Sequence, residues 1–126
     1  MRDELCVLVV EDNEANQLLA RYVLEREGYR VEVAGAADEA LEKVGEKVPN
    51  LILMDIQLPG QDGLSLTRQL KASSTTANIP IIALTADAMI GDREETIAAG
   101  CAGYIAKPID TRTLGDQIRE ILRWPR

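Results

Sequence analysis

Four apolar runs of this chain end in residues able to do chemistry. Glu11-Asp12 follow Leu5–Val10, Asp55 follows Leu51–Met54, Thr85 follows Ile81–Leu84, and Lys107 follows Tyr104–Ala106. Two carboxylates about 4 Å apart repel by roughly 4 kcal/mol at an effective dielectric near 20, a large share of a typical domain stability of about 5–15 kcal/mol. Gathering Glu11, Asp12 and Asp55 on one rim is therefore a poor choice for stability alone. A divalent cation resolves the conflict, and Mg²⁺ suits it better than Ca²⁺. Mg²⁺ uses one or two carboxylates, several waters and a phosphate oxygen rather than a full protein cage.

Such a cation leaves room for a phosphoryl group. In phosphoryl transfer, charge spreads over three equatorial oxygens, and catalysis is mostly positioning and electrostatic stabilisation. The cation can meet one oxygen, the Thr85 hydroxyl another and the Lys107 ammonium a third. The acceptor would be the Asp55 carboxylate, acting as a nucleophile to give an acyl phosphate. A free carboxylate is ionised at neutral pH and needs no general base. This fits a chain with no histidine, a lack that also excludes His-based triads and ordinary zinc sites.

Each residue also has a plainer reading. Asp12 or Asn13 could cap a following helix, and Asp55 could open the turn through Gln57-Leu58-Pro59-Gly60. Thr85 could cap the next helix, and Lys107 could be a solvated loop lysine. No single cap or salt bridge needs all of them, however, and the ends of parallel strands bring dispersed residues to one rim.

The elements that would position this set follow from periodicity. Short apolar runs predict strands at Leu5–Val10, Arg30–Ala34, Leu51–Met54, Ile81–Leu84 and Gly103–Ile105. Helical spacing predicts helices over Glu14–Glu27, Ala37–Glu46, Gly63–Ala72, Ala88–Ala99 and Thr111–Arg123. In the first helix the apolar positions are Leu18, Leu19, Tyr22 and Val23. Strands alternating with helices give a right-handed, doubly wound α/β layer structure. The runs from Leu5, Leu51 and Ile81 lack polar alternation and read as central strands covered on both faces, whereas Arg30-Val31-Glu32-Val33 alternates and reads as an edge.

At 126 residues and 46% hydrophobic content, the chain suits one domain with a real core. Residues 1–126 are expected to be that single domain, with no output domain attached. A net charge of −7 and a pI near 4.6 argue against nucleic acid or an anionic membrane as partner. No stretch approaches a membrane span or a signal-peptide core, so a cytoplasmic location is expected. Cys6 and Cys101 sit among apolar neighbours and read as reduced core thiols.

The chain resembles the receiver domains of two-component response regulators, the CheY-like family, along essentially its whole length. The segments that carry the resemblance are Val10-Glu11-Asp12-Asn13, Leu53-Met54-Asp55-Ile56-Gln57-Leu58-Pro59-Gly60 with Asp62-Gly63, Ala83-Leu84-Thr85-Ala86, and Gly103-Tyr104-Ile105-Ala106-Lys107-Pro108. The resemblance implies a flavodoxin-like (βα)5 sheet with strand order 2-1-3-4-5. It implies that Asp55 is phosphorylated, and that Asp12, Asp55 and the Gln57 carbonyl hold Mg²⁺ or Mn²⁺, with Glu11 acting through a water. Thr85 and Tyr104 would be the switch, Thr85 drawn to the phosphoryl group and Tyr104 turning inward. Gln57, Ala86 and Asp87 would tune hydrolysis, and the Lys107-Pro108 bond would be cis.

By the same resemblance, the phosphoryl donor is a histidine on a partner kinase or phosphotransfer protein. Targets would bind the Ala88–Ala99 helix, the Tyr104 strand and the last helix. The chain would not be an enzyme beyond its own phosphorylation and dephosphorylation. The wording around Asp12 and Asp55 resembles both single-domain receivers that control bacterial cell-cycle kinases and receivers of hybrid histidine kinases. A free-standing switch and a phosphorelay receiver excised from a hybrid kinase therefore both stand.

Rival classes fit less well. A flavodoxin-type binder needs a phosphate-cradling loop where Glu11-Asp12 puts negative charge. A haloacid-dehalogenase-like aspartyl phosphatase needs a second Asp where Gln57 stands. A phosphorylation-independent scaffold keeps the motifs without using them.

Overall fold

The computed structural model describes residues 5–58, 60–86 and 90–123. Asp87 and the start of the helix expected from Ala88 lie outside the described residues. The order of elements is β1 (Cys6–Val10), α1 (Glu14–Arg26), β2 (Arg30–Ala34), α2 (Ala37–Glu46), β3 (Leu51–Asp55), α3 (Gly63–Lys71), β4 (Ile81–Thr85), α4 (Ile90–Ala99), β5 (Gly103–Ala106) and α5 (Leu114–Arg123). The five strands form one parallel sheet in the order β2-β1-β3-β4-β5. This is the flavodoxin-like, doubly wound fold, with the alternating strand β2 at an edge as its pattern requires.

Alternate residues along each strand serve opposite faces, because successive side chains of a strand point to opposite sides. Leu8, Val10, Ile52, Met54, Ile81 and Ala83 join Ala40 and Val44 of α2 and Leu66 and Leu70 of α3 in one core layer. Val7, Val9, Leu53, Ile82 and Leu84 join Ala20, Val23 and Leu24 of α1 and Leu114 and Ile118 of α5 in the other. Full burial of such side chains contributes about 1.5–3 kcal/mol each against leaving them in water.

Of the apolar positions expected in α1, Val23 is buried and the other three are exposed. Ala20, Val23 and Leu24 face the sheet, whereas Leu18 is 66% exposed, Tyr22 is 61% exposed and Leu19 is also exposed. A stripe through Leu18 and Tyr22 is a legitimate helical stripe, but a small Ala20 lets the helix backbone lie close to the strands. Tyr22 instead stacks under the Arg26 guanidinium, 5.3 Å from its ring centre. Helix α5 begins at Leu114 rather than Thr111, since the segment before it turns through Thr113 and Leu114 amides bonded to the Asp110 carbonyl.

Cys6 and Cys101 are both free and buried. Among the described residues no helix is long and apolar enough to cross a membrane.

Candidate functional site

The parallel register brings the strand ends together. Val10 of β1 pairs with Met54 of β3, so Glu11 and Asp55 come next side by side. Asp55 in turn pairs with Leu84, and Thr85 pairs with Ala106. The Lys107 amide, one residue further, donates to the Thr85 carbonyl at 2.7 Å. Asp55 and Thr85 are thus the last residues of their strands, held by ladder neighbours, and not the first of a loop.

Glu11 is 1% exposed, Asp55 2% and Thr85 2%, while Asp12 is exposed. Carboxylate oxygens of Glu11, Asp12 and Asp55 all lie within 4.8 Å of one another. The Lys107 ammonium sits between the two buried acids, 2.9 Å from Glu11 Oε1 and 2.9 Å from Asp55 Oδ2. Each acid gives its other oxygen to a backbone amide: Asn13 N–H donates to Glu11 Oε2 at 3.1 Å, and Gln57 N–H donates to Asp55 Oδ1 at 2.9 Å. Burial works against the Lys107 charge, yet the close carboxylates of Glu11 and Asp55 outweigh it and raise its pKa above the ordinary lysine value.

Local capping fixes both loops. Asn13, not Asp12, is the N-cap of α1, its side chain accepting the Asn16 amide at 3.0 Å. The Gln17 side-chain amide donates to the Glu11 carbonyl and ties the loop back to the helix. Asp62 caps α3 by accepting the Ser65 amide at 2.7 Å. Asp55 also makes the turn its type suggests, through Gln57 N–H, so its structural and chemical readings coexist.

Glu11, Asp12, Asp55 and Lys107 therefore meet directly, and Thr85 shares their rim. Gln57 and Ala86 are exposed beside it. Tyr104 pairs with Ala83, two positions back from the rim, and is half-buried against the α2–α3 core layer. The Lys107-Pro108 peptide is cis.

The donor set fits a divalent cation on its chemistry. Three oxygen-bearing acids converge against one lysine, and Glu11 Oε1 is buried with the ammonium at ion-pair distance but no well-aligned hydrogen-bond donor among the described residues. Buried polar atoms normally have such a partner. The role of Gly63 was not legible as more than a motif glycine. Its N–H donates to the Ile56 carbonyl at 3.2 Å, and a Cβ there would meet the Asp55 carbonyl oxygen at 2.1 Å. The Asp62-Gly63 pair signals a capped helix start, but nothing local signals that close approach.

Sheet order, strand-end acids and the lysine after β5 define a receiver, and the chain belongs to the response regulator receiver domain family, whose model matches residues 7–119. It is 44% identical over 116 residues to the polar-differentiation response regulator DivK of Brucella ovis, covering 92% of this chain and 94% of that protein. The chemotaxis response regulator CheY4 of Vibrio cholerae superposes with a TM-score of 0.89 at 26% identity, covering 94% of this chain and 99% of that one. The receiver domain of the sensor histidine kinase PA1611 of Pseudomonas aeruginosa PAO1, solved with a magnesium ion in its active-site cleft, superposes at 0.83 with 38% identity, covering 97% and 98%.

Proposed function

We propose that the chain is a phospho-accepting signalling switch in which Asp55 takes a phosphoryl group from a phosphohistidine on a partner kinase or phosphotransfer protein. The observation that carries this reading is the Lys107 ammonium held 2.9 Å from Asp55 inside a cluster of three acids. A buried carboxylate already paired with a lysine, beside two further acids that with it could hold a divalent cation, is placed to accept a group that brings more negative charge.

An Asp55 oxygen attacks phosphorus, the phosphorus–nitrogen bond of the donor breaks, and the imidazole leaves and regains its proton from solvent. Lys107 neutralises one oxygen of the incoming group, and the Thr85 hydroxyl donates to another. Mg²⁺ or Mn²⁺, held by Asp12, Asp55 and the Gln57 carbonyl, with Glu11 through a water, supplies neutralisation of phosphate charge when bound. The magnesium in the PA1611 receiver supports this assignment. Thr85 and Tyr104 then carry the change to the face formed by α4, β5 and α5, where a protein target binds. Gln57, Ala86 and Asp87 set how easily water reaches the acyl phosphate. The chain acts in the cytoplasm and is not an enzyme on other molecules.

The DivK likeness over nearly both whole chains favours a free-standing switch. The 38% identity to a sensor-kinase receiver favours, as a second reading, a phosphorelay intermediate. Incubation with Mg²⁺ and acetyl phosphate followed by intact mass tests the common core. A gain of one phosphoryl group in wild type, lost in Asp55→Asn, is expected; no gain with Mg²⁺ bound would overturn the reading.

A further inference from the structure

The sheet has two edges, and the one far from β5 is β2, which pairs with β1 alone. The Arg30 amide donates to the Leu5 carbonyl at 2.8 Å, and the Ala34 carbonyl accepts the Glu11 amide at 2.9 Å. Residues 30, 32 and 34 therefore turn their backbone groups to β1. Since these groups alternate in direction along a strand, Val31 and Val33 turn theirs to the outer edge, where such a row is a template for another strand. Neither flanking helix closes that edge. Grooves run along it on both faces, lined in part by Arg30, Glu32 and Lys43 on the α2 side and by Glu25, Tyr29 and Val31 on the α1 side.

The side chains alternate too. Glu32 lies beside Leu8, on the α2 face with Arg30, and both charges are exposed, while Tyr29, Val31 and Val33 belong to the α1 layer. About Val31, the run Tyr29-Arg30-Val31-Glu32-Val33 is complementary to its own reverse. A second copy running antiparallel about a two-fold axis at Val31 makes the two Val31 residues a hydrogen-bonded pair, which needs the outward backbone groups found at that position. Arg30 then stands opposite Glu32 of the second copy, once on each side of the axis, and Tyr29 opposite Val33. Other registers fail. An axis at Arg30 or Glu32 opposes like charges and centres on a residue already bonded to β1, and an axis at Val33 sets Glu32 against Ala34. The contact of Glu32 with Lys43, at 3.4 Å, leaves the Glu32 side chain 50% exposed and is an open surface pair that competes weakly.

We propose that the outer edge of β2 is a self-association surface, on which two copies of this chain pair antiparallel and join their sheets. A strand of five residues makes a small interface, so the dimer forms reversibly and is governed by concentration. β5, at the opposite edge of each sheet, stays uncovered.

Sedimentation equilibrium up to millimolar protein, with charge reversals that leave the bonds to β1 in place, tests the surface. Wild type should dimerise reversibly. Arg30→Glu faces Glu32 of the second copy and Glu32→Arg faces Arg30, so each variant alone should dimerise about 10-fold more weakly. Mixed one to one, the two variants should associate within about 3-fold of wild type, because every facing pair is again opposite in sign. Damage to the fold cannot produce that rescue. A second measurement needs no variant: as wild-type concentration rises, the Val31 and Val33 amide signals should shift and their hydrogen exchange slow, while the Arg30 and Glu32 amides, bonded to β1, change little. A wild type that stays monomeric at millimolar concentration would overturn the proposal. So would a dimer indifferent to both reversals, a mixture that fails to associate, or concentration-dependent shifts confined to other elements.

Discussion

The carbonyl oxygen of Asp55 lies 2.1 Å from the point where a Cβ on residue 63 would stand, so Gly63 and Asp55 pack backbone against backbone. The first turn of α3 is thereby seated against the end of β3, where the Gly63 amide also donates to the Ile56 carbonyl at 3.2 Å. Gly63→Ala must push α3 off the end of β3, and no side chain can rotate out of the way. A loss of about 2–3 kcal/mol is expected, at the upper end for overpacking. Gly103→Ala first meets the Ile121 side chain, at 2.9–3.1 Å, which can turn aside, and should cost less. Urea midpoints of the two variants compare them directly.

Lys107→Met should destabilise the metal-free protein by about 2 kcal/mol, since it leaves two buried carboxylates without their shared cation. The deficit should narrow in Mg²⁺. The Lys107 pKa is raised on folding, so its contribution is present below the ordinary lysine value near 10.5 and is lost as pH climbs through the higher folded value. In the absence of metal, wild type should therefore converge on Lys107→Met at strongly alkaline pH, and thermal melts at stepped pH show whether it does.

A cation bound by the folded acids and not by the unfolded chain stabilises by mass action, about 2.7 kcal/mol at a free concentration one hundred times Kd. The melting temperature should rise with Mg²⁺ and return with chelator. Asp12→Asn should abolish most of the rise. Because Asp12 is exposed, this variant should fold normally without metal, which separates loss of binding from loss of structure.

Burial pushes the Cys101 thiol up to about 11, although a hydrogen bond with Thr67 and the charge of Lys71 pull the other way. The folded state therefore keeps a proton that the unfolded chain has lost, and stability should fall as pH rises from about 9 to about 11, by up to about 2 kcal/mol. Cys101→Ala should flatten that part of the curve. Equal slopes in the two proteins would show that other groups cause the decline.

Much of the fold is written in local pattern. Parallel strands covered on both faces need uninterrupted apolar runs, so β1, β3 and β4 declare themselves, and the alternation of β2 marks an edge with one face toward solvent. Their ends were less legible. Asp55 and Thr85 belong to strands because Leu84 and Ala106 lie alongside them, and pairing depends on neighbours far away in the chain. In α1 only Val23 of the expected apolar positions reaches the core, for a related reason: two stripes with helical spacing compete, and the closeness of the sheet selects the one with Ala20.

For the site, residue types at strand ends single out the acids, the hydroxyl and the lysine as candidates, because carboxylates gathered against their own repulsion call for a compensating charge whatever the details of packing. Contact is a different matter. That one ammonium stands 2.9 Å from both Glu11 and Asp55, that Asn13 rather than Asp12 caps α1, and that Gly63 leaves room for the Asp55 carbonyl all depend on ångström distances between separate elements. Periodicity and residue chemistry act along the chain and can be read there; distances across strands arise when the two core layers pack, so the partners of Lys107 exist only in the folded molecule.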